Sequence, residues 1–465
     1  MFPCTVKNLH EICGISVEPD NAGSEMIRGV TIDSRSVQRG DVFFALPGNR
    51  THGVQFAADA LSAGAVCVVS DRPAVTFSTH GQSSRILVVP DVQKALQELA
   101  VWNRRQSAAL TIGITGSVGK TSTRQMISAV LSLQFNGVQS PRNYNNELGL
   151  PLTLCELKHG HEFAVLELGA GKPGDISFLC RLAEPEMAVV TRVAPCHLES
   201  FGSIDSIRRT KQELVEAIDN GGTVFLNADD PQVQLMSHVA KGQVVSFGLC
   251  ASADVRADEI HSHDGRTLFT SDGHRFAFEG PRHLVTCALA AVAVGRTVGL
   301  SDHRIEFGLA QFRPDAGRGQ IRLRSPWIVI DETYNASPAS VLATMESLRS
   351  WTGRRRILVL GDMLELGESA ETLHCELARA LMSSGIHHTL FCGKYAEAFA
   401  SAALKSGLPL NSISTFHDRS TLISMLDCLI SPGDVICVKG SRSTHMEHIV
   451  DALLSKAADS QRAAA

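Results

Sequence analysis

The sequence predicts an α/β protein of about three domains. Its 465 residues correspond to about three domains at ~150 residues per domain. Short, nearly continuous apolar stretches alternate with helical stretches through most of the chain, a pattern typical of parallel sheets that helices cover on both faces. Hydrophobic residues make up 44% of the chain and charged residues 20%, so enough apolar surface is available to form several cores.

The charge and the cysteines restrict the class of protein. The chain has 43 Lys and Arg against 48 Asp and Glu, a net charge of −5, and only 5% aromatic residues, which argues against nucleic-acid or anionic-membrane partners. Its 12 cysteines form no C-x-x-C pair, the N-terminus lacks the pattern of a signal peptide, and no apolar run reaches ~18 residues. We therefore expect a soluble, cytoplasmic protein with reduced thiols that binds neither nucleic acid nor membrane.

Three blocks of sequence predict the three domains, which we place at 1–106, 107–324 and 325–465. The first block predicts a small α/β domain, because short apolar runs alternate with turns and one helical stretch leads out of it. Its strands and helices are predicted at 42–46, 56–63, 65–69 and 93–105.

Strands and helices alternate regularly from Leu110 and again from Trp327. The strands of the central block are predicted at 110–115, 164–168, 187–193 and 223–226. Those of the third block are predicted at 328–331, 357–360, 389–392 and 435–438. We also predict helices at 204–218 and 445–454, and a frayed tail over the last nine residues.

The strongest local motif is a glycine-rich turn between the first central strand and an amphipathic helix. Its glycines let backbone N–H groups face a phosphate, and the start of the helix adds a partial positive charge. Lys120 can reach the terminal phosphates, and the Thr121 hydroxyl can bind Mg²⁺. A longer motif would place its first glycine at Ile114, so this is a short G-x-x-G-K-T variant. The strand–loop–helix context favours phosphate binding over a plain turn with an exposed Lys. The loop residues are Thr115, Gly116, Ser117, Val118, Gly119, Lys120 and Thr121.

Two candidate metal ligands follow strands of the central block. Glu167 ends an apolar strand, where a carboxylate is costly to bury unless it is paired or binds a metal. His197 comes just after another predicted strand, and ligands of open parallel sheets bind beyond the carboxyl ends of the strands. A lone His is more often packed or solvated, but two candidate ligands near a phosphate-binding loop favour a metal site.

Lys211 and an asparagine-rich loop each allow two interpretations. Lys211 lies on the predicted helix at 204–218 among other charged residues, so its spacing alone favours a solvated helix face. The loop carries the amides of Asn143, Asn145 and Asn146 directly before an apolar run. Such loops usually form turns, although three amides could also hold a polar ligand. Spacing does not separate the two interpretations.

Further candidate site residues lie in and around the third block. Arg318 lies where the second block meets the third, and a planar guanidinium suits a phosphate. Asp331 ends the first strand of the third block, a position from which a carboxylate can bind ribose hydroxyls. Lys439 and Arg442 follow the last strand and precede a helix, which predicts either an anion cradle or a plain strand-to-helix turn.

Together these residues resemble the Mur ligase family over nearly the whole chain. The phosphate-binding loop and several single residues match positions that the family shares: Glu167, His197, Lys211, Arg318 and Asp331. Other stretches resemble the family members that use D-alanyl-D-alanine: 143–151, 331–338, 360–367 and 439–442. The Asp-Asn-Pro-Arg motif of the diaminopimelate-adding members is absent. Near the N-terminus, 31–35 and 40–45 resemble the family's uridine-diphosphate-binding domain.

The resemblance implies a three-domain ligase. The first domain would hold the UDP-sugar, the central ATPase domain would hold ATP and Mg²⁺, and a Rossmann-like third domain would close over the site. ATP would phosphorylate the C-terminal carboxylate of UDP-N-acetylmuramoyl-tripeptide, and D-alanyl-D-alanine would attack the acyl phosphate, in the cytoplasmic synthesis of peptidoglycan precursors. We expect a monomer.

The resemblance also implies roles for individual residues. The catalytic residues would be Lys120, Lys211 and His197. Lys211 would carry a carbamate, which makes it an anionic metal ligand beside Thr121, Glu167 and His197. The ATP site would add three residues to the loop: Arg318, Asp331 and Asn335. The substrate-binding residues would be Ser34, Arg35, Asn143, Asn145, Asn146, Lys439 and Arg442.

Two other functions remain as alternatives. A folylpolyglutamate-type ligase shares the ATPase core, but it would not need the N-terminal stretch at 33–35 or the loop around Asn143. A non-catalytic nucleotide-binding scaffold would not need to retain Lys120, Glu167, His197 and Lys211. A phosphate-release assay with the implied substrates separates these alternatives.

One stretch departs from the family. Where a segment resembling Gly-x-His-Asn-x-x-Asn places amides at the adenine, this chain keeps His283 and the Ala-rich helix but has Pro281, Leu284 and Cys287. Leu offers no polar group to a base edge, and Cys offers only a weak one. We therefore expect ATP use to be retained, with weaker discrimination against GTP.

Overall fold

The computed structural model describes residues 1–15, 23–48, 51–72, 85–141, 143–195 and 198–464, leaving out the side chains of 198–199 and 460–464. Three large β-sheets of four, seven and six strands follow one another along the chain. The first two are wholly parallel. The third is parallel except for one antiparallel edge strand. The predicted α/β class is confirmed.

The N-terminal sheet is small. Its elements are β1 (Cys4–Thr5), α1 (Val6–Ile12), β2 (Met26–Ile27), β3 (Gly29–Thr31), β4 (Asp41–Phe44), α2 (Ala57–Ala63), β5 (Cys67–Ser70), β6 (Ile86–Val88) and α3 (Val92–Arg105). The strands β3 to β6 pair in chain order, and β1 pairs with β2. The Asp91 carboxylate accepts a hydrogen bond from the Lys94 N–H and so begins α3, which leads into the central sheet.

The central sheet carries the phosphate-binding loop. Its elements are β7 (Leu110–Thr115), α4 (Lys120–Leu131), β8 (Gly137–Gln139), α5 (Gly149–Cys155), β9 (Phe163–Glu167), α6 (Asp175–Ala183), β10 (Met187–Val190), α7 (Leu198–Phe201), α8 (Ile204–Glu216), β11 (Thr223–Asn227), α9 (Pro231–Gln234), β12 (Gln243–Gly248) and β13 (Val255–Arg256). The strand order is β13-β12-β11-β10-β7-β9-β8. Because the chain continues from β7 to one side and later crosses to the other, a ligand crevice lies beyond the carboxyl end of β7.

A three-stranded antiparallel sheet follows the central sheet, and the sequence analysis did not predict it. It consists of β14 (Asp258–His263), β15 (Arg266–Ser271) and β16 (His274–Glu279), and it is followed by α10 (Val285–Thr297) and α11 (Asp302–Gln311). Both of its turns are Asp-Gly pairs, at 264–265 and 272–273, with positive φ at each residue, the geometry that a two-residue hairpin turn needs.

The C-terminal sheet has the order β17-β18-β22-β19-β20-β21. Its elements are β17 (Gln320–Leu323), β18 (Ile328–Glu332), α12 (Pro338–Leu348), β19 (Arg356–Gly361), α13 (Ala370–Ser384), β20 (His388–Cys392), α14 (Ala396–Lys405), β21 (Ile413–Phe416), α15 (Arg419–Leu429), β22 (Val435–Lys439) and α16 (Glu447–Ala464). Helix α12 begins at a capping box of Ser337 and Ser340, with Pro338 in its first turn.

Buried apolar clusters cover both faces of the central and C-terminal sheets, as the near-continuous apolar strands predict. One cluster joins the N-terminal sheet to one face of the central sheet, and a second lies between the other face, α4, α10 and the three-stranded sheet. Two more lie on the two faces of the C-terminal sheet. None of the helices in the described ranges is both long and apolar enough to cross a membrane.

The predicted elements differ from the observed ones mainly at their ends. The strand predicted at 187–193 stops at Val190, and the segment after it turns toward the phosphate-binding loop. The helix predicted at 204–218 ends at Glu216, and the one predicted at 445–454 begins at Glu447. The tail that was predicted to be frayed continues α16 as far as Ala464. The tail contains no Gly or Pro, and its Ala, Gln and Arg residues favour a helix.

Candidate active site

The phosphate-binding loop connects β7 to α4. Gly116 has φ +149° and Gly119 has φ +86°, values that side-chain-bearing residues rarely adopt. A Cβ at Gly116 would also collide with the Thr191 hydroxyl. The loop therefore needs glycine at Gly116 both for its backbone and for space, and it delivers the N-terminus of α4 to the crevice beyond β7.

Hydrogen bonds fix this loop to the segment that follows β10. The Ser117 N–H donates to the Arg192 carbonyl at 2.7 Å, and the Thr191 hydroxyl donates to the Val118 carbonyl at 2.6 Å. The Ser117 hydroxyl donates to the Ala194 carbonyl and accepts from the Ala194 N–H, both at 3.0 Å. The loop after β7 and the segment after β10 are thus held together as one unit. His197, which follows this segment, lies outside the described residues.

Lys120 is the first residue of α4 and is half-buried. Its ammonium donates to the Gly116 carbonyl at 2.7 Å, which holds the side chain over the loop. Among the described residues, no carboxylate forms an ion pair with it. The positive charge therefore lies over the loop, and no described carboxylate neutralises it. This leaves the charge available to a phosphate.

Glu167 brings three parts of the site together. It ends β9 and is only 2% exposed. Its Oε2 accepts from the Thr121 hydroxyl at 2.8 Å, and its Oε1 accepts from the Asn145 amide at 2.9 Å. The Glu167 N–H donates to the Ser140 hydroxyl at 3.1 Å. A buried carboxylate oxygen next to a hydroxyl oxygen is a donor set that suits Mg²⁺.

Within the described part of the chain, no three His, Cys, Asp or Glu side chains form a metal-binding group. The ligand set implied by the resemblance is different, because it uses the hydroxyl of Thr121 and a modified Lys211, with His197 outside the described residues. The carboxylate and the hydroxyl of that set are in direct contact.

Lys211 lies on the buried face of α8, so the interpretation from spacing, a solvated helix face, is wrong. The residue is 3% exposed, and its ammonium lies 5.7 Å from the centre of the Phe201 ring. Its helix neighbours Thr210, Leu214 and Val215 are also buried. The charged neighbours in the sequence favoured a solvated face because Asp205 and Arg209 are exposed, whereas Arg208, three residues before Lys211, is only 16% exposed.

The asparagine loop combines both of its predicted interpretations. Asn145 contacts Glu167 and belongs to the site. Asn146 instead accepts hydrogen bonds from the N–H groups of Leu148 at 3.3 Å and Gly149 at 2.9 Å, which begins α5. Asn143 is exposed, and its carbonyl accepts a hydrogen bond from the Asn145 N–H within the turn.

Arg318, Asp331 and Asn335 lie at the junction of the central and C-terminal parts. The Arg318 guanidinium stacks 3.7 Å from the centre of the Tyr334 ring, which fixes its plane. Asp331 is 3% exposed, and its Oδ1 accepts from the N–H and the hydroxyl of Thr333. The Asn335 Oδ1 accepts from the next N–H in the chain. All three side chains are held by local partners at this junction.

The structure does not place Lys439 at an open anion cradle. The residue is 4% exposed, and its ammonium donates to Glu332 Oε2 at 2.7 Å, which also accepts from the Thr344 hydroxyl at 2.8 Å. Burial by itself raises the pKa of Glu332, but Lys439, His283 and the Thr344 hydroxyl together outweigh burial, and the pKa is lowered. Arg442 differs, because its side chain is 65% exposed and only 3.5 Å from Glu447.

Ser34 and Arg35 lie at the surface of the N-terminal part. Asp33 begins the short helical turn at Ser34–Ser36 by accepting from the Arg35 N–H. Both oxygens of Asp33 also accept from the Arg35 guanidinium, at 2.9 and 2.7 Å. Arg35 lowers the pKa of Asp33 to about 2. The Arg35 side chain is 87% exposed, so it remains accessible to an anion.

The stretch that departs from the family lies directly against the phosphate-binding loop. Cys287 Sγ donates to the Gly119 carbonyl at 3.8 Å, and burial raises the pKa of this thiol to about 11. Leu284 is 6% exposed and lies against Gly280. An apolar side chain and a neutral thiol therefore occupy the positions where the family has amides.

The sequence analysis missed several residues that shape the site. Thr191 and Ser140 are ordinary in the sequence, and only the fold brings their hydroxyls to the loop and to Glu167. Arg124, one turn after Thr121, lies between Glu167 and Asp315; its position on the helix after the loop was an available signal. A cavity of about 280 Å³ lies between the three-stranded sheet and the C-terminal sheet, with Pro281 and Trp351 in its walls.

Three family comparisons match the chain along its length. Residues 26–103 match the "Mur ligase family, catalytic domain", residues 114–295 the "Mur ligase middle domain", and residues 317–442 the "Mur ligase, glutamate ligase domain". The matched segments correspond in order to the N-terminal, central and C-terminal sheets.

Similar proteins cover nearly the full chain. The UDP-N-acetylmuramoyl-tripeptide--D-alanyl-D-alanine ligase of Bacillus subtilis is 32% identical over 459 residues, 98% of this chain and 99% of the relative. The crystal structure of MurF from Acinetobacter baumannii is 31% identical with a TM-score of 0.87, over 97% of this chain and 99% of the other. MurF ligase from Thermotoga maritima in complex with ADP is 28% identical with a TM-score of 0.78, over 91% and 96%.

Proposed function

The chain belongs to the Mur ligase family, and on that premise we propose that it joins D-alanyl-D-alanine to UDP-N-acetylmuramoyl-tripeptide. The reaction is ATP-dependent and belongs to the synthesis of peptidoglycan precursors. The observation that carries the proposal is the phosphate-binding loop, where Lys120 is held by the Gly116 carbonyl and pairs with no described carboxylate, next to the Glu167–Thr121 contact. The chain matches relatives of this activity over nearly its whole length.

The first step activates a carboxylate, which is a poor acyl donor. An oxygen of the tripeptide's terminal carboxylate attacks the γ-phosphorus of ATP, the bond to the β-phosphate oxygen breaks, and an acyl phosphate and ADP form. Two anions must approach each other, so positive charge is needed where they meet. Lys120 supplies one such charge, and the N–H groups at the start of α4 supply partial charges.

Mg²⁺ fits the carboxylate and hydroxyl oxygens that the site presents, and Thr121 and Glu167 would hold it. When bound, it neutralises negative charge on the phosphates. Asn145 holds the carboxylate of Glu167 and Ser140 accepts from its backbone N–H, so the orientation of this ligand is fixed by its neighbours.

Lys211 would complete the site as a carbamate, formed when its neutral amine combines with CO₂ and releases a proton. The position of Lys211 supports this, because the residue is 3% exposed on the inner face of α8 and does not lie in solvent. His197 would serve as a further ligand and catalytic residue.

The second step forms the amide. The amine of D-alanyl-D-alanine attacks the carbonyl carbon of the acyl phosphate, the bond from that carbon to the phosphate oxygen breaks, and the amine nitrogen loses a proton. Asn143 and Arg442 are exposed polar side chains that could contact substrate, and Ser34 and Arg35 could contact the UDP end. We propose domains at 1–106, 107–324 and 325–465, a monomer, and a cytoplasmic location.

The test is phosphate release with purified protein, Mg²⁺, ATP, UDP-N-acetylmuramoyl-tripeptide and D-alanyl-D-alanine. We expect release that needs all substrates and a product heavier than the tripeptide by one D-alanyl-D-alanine less one water. Either lysine or meso-diaminopimelate as the third peptide residue is to be tried. Activity with a folate and glutamate instead, or ATP binding without turnover, would overturn the proposal.

A further inference from the structure

Arg124 is a buried arginine with incomplete hydrogen bonding. It lies on α4, three residues after Thr121, and its side chain is 3% exposed. Its Nε is buried and has no hydrogen-bond partner among the described residues. Burying a guanidinium group in this way is costly, so its position needs an explanation beyond packing.

Two carboxylates face Arg124 from different parts of the molecule. Its Nε lies 3.9 Å from Glu167 Oε2, and its Nη2 lies 3.7 Å from Asp315 Oδ2. Both distances exceed a hydrogen bond, so neither carboxylate is fully engaged. Burial and, to a smaller extent, the positive charge of Arg318 lower the pKa of Arg124, and the two carboxylates oppose that effect. The guanidinium is therefore shared between the metal-binding carboxylate and a second, half-exposed one.

Asp315 belongs to the segment that leads to the C-terminal part. Its carbonyl accepts from the Arg318 N–H at 3.0 Å, and the next turn places Arg318 on Tyr334. Gly317 in this turn has φ +78°, and a Cβ there would lie 2.9 Å from the Tyr334 backbone nitrogen. The turn leaves little space for internal movement. A displacement of Asp315 should therefore also displace Arg318.

We propose that Arg124 is a positioning residue that couples the charge state of Glu167 to the turn carrying Arg318. A cation bound at Glu167 repels Arg124 and neutralises the carboxylate that competes for it. Asp315 is then the remaining carboxylate that attracts Arg124, and the turn is drawn toward α4. This inference rests on the proposed function, because it assumes that nucleotide and Mg²⁺ bind at Glu167.

Arg104 provides a matched control. It too is a buried arginine, at 7% exposure, but its guanidinium donates to the carbonyls of Ala183 at 2.9 Å and Ser107 at 3.0 Å. It lies on α3, and its hydrogen-bond partners are outside the site. Replacing it removes a buried guanidinium without touching the Glu167–Asp315 connection.

The kinetic test compares Arg124→Gln, Arg124→Lys, Asp315→Asn and Arg104→Gln by phosphate release. We expect Arg124→Gln to lower kcat on the order of tenfold with a smaller change in KM for ATP. Asp315→Asn should act similarly, and the double variant should be no worse than Arg124→Gln alone, because both changes break one connection. Arg124→Lys should restore part of kcat. Arg104→Gln should lower the Tm and leave kcat unchanged.

A second readout does not depend on turnover. Small-angle scattering of the wild-type protein should show a smaller radius of gyration with an ATP analogue, Mg²⁺ and UDP-tripeptide than without them, and Arg124→Gln and Asp315→Asn should lose that contraction. Asp315 is half-exposed, so Asp315→Asn tests the inference even where Arg124→Gln fails to fold.

Two results would overturn the inference. One is a set of Arg124 and Asp315 variants that behave like Arg104→Gln, with lower Tm but unchanged kcat and contraction. The other is additive effects of the two changes in the double variant. Failure of the proposed function is distinguishable, because the wild-type protein itself would then release no phosphate with these substrates.

Discussion

In the central sheet a lysine follows the loop after a buried strand, and in the C-terminal sheet a lysine ends one, but the two lysines differ in their partners. Lys120 lies over the loop after β7, held by a backbone carbonyl and paired with no carboxylate of the described chain. Lys439 ends β22 and is paired with Glu332 on the neighbouring strand β18. Both sites resemble anion cradles in the sequence, yet only the first keeps its positive charge available.

The difference shows that a basic residue at a strand end predicts a location but not a function. A neighbouring strand can supply a carboxylate at the paired position. The lysine charge is then neutralised by an ion pair inside the fold. Glu332 and Lys439 are Cα partners in the ladder between β18 and β22. Lys120 avoids this because it follows a glycine-rich loop instead of continuing a strand.

Replacing Lys439 with Met should produce the largest effect on stability. Glu332 would be left buried and unpaired, which costs about 3–5 kcal/mol of unfolding free energy. Urea denaturation of the variant would measure this loss. The double variant Lys439→Met/Glu332→Gln is the control and should recover most of the stability. A Lys439→Met protein that keeps wild-type stability but loses substrate affinity would reverse the comparison and make Lys439 a substrate ligand.

Replacing Lys120 with Ala should leave the unfolding free energy within about 0.5 kcal/mol and lower the rate of phosphate release on the order of 10²–10³-fold. The loss is of the size found when one charge-stabilising contact is removed from a transition state. Circular dichroism and the phosphate-release assay measure the two quantities. Near-wild-type release by the folded variant would remove the loop from the mechanism.

Replacing Lys211 with Ala should lower activity by about 10–100-fold, the range for removing a group that tunes a metal site. Short carboxylates such as formate or acetate should restore part of it, because they can occupy the place of the carbamate. Arg209→Ala, on the outer side of the same helix, is the matched control and should be neutral. Full activity of Lys211→Ala at saturating Mg²⁺ and substrates would exclude a role for the carbamate.

Replacing Cys287 with Asn should produce the smallest effect. The amide would restore a donor and an acceptor beside the loop, so the ratio of kcat/KM for ATP over GTP should rise by about tenfold or less. Cys287→Ala removes the thiol without adding an amide and should leave the ratio unchanged. If the wild type and Cys287→Asn reject GTP equally and strongly, adenine is read elsewhere, with Asn335 as the first residue to test.

The sequence predicted the fold class, the family and the phosphate-binding loop because each depends on local patterns. The apolar strand 110–115 coincides with β7, and the loop after it begins α4 at Lys120. The three-stranded sheet was missed although its Asp-Gly turns at 264–265 and 272–273 were a usable hairpin signal. Its strands alternate between more buried and more exposed residues, so they lack the continuous apolar runs that identified the others.

Pairings between distant residues were not predictable from spacing. The Lys439–Glu332 ion pair joins residues 107 positions apart, and Arg124 meets Asp315 only through the packing of the chain. Lys211 shows the same limit in the opposite direction, because its sequence neighbours Asp205 and Arg209 are exposed while Lys211 itself is buried. Burial and pairing depend on which distant residues the tertiary fold brings together. The periodicity of a single sequence does not contain that information.

The cavity of about 280 Å³ between the three-stranded sheet and the C-terminal sheet has walls from two bodies that are connected through the segment around Gly317. Any rotation at that segment changes the shape of the cavity while both cores stay intact. A compound that fits this cavity would therefore bind one relative orientation of the two parts. By mass action it would increase the population of that orientation. A shift from 1:99 to 99:1 requires about 10⁴-fold preference for that state. Such a compound would oppose the contraction proposed above without having to displace ATP.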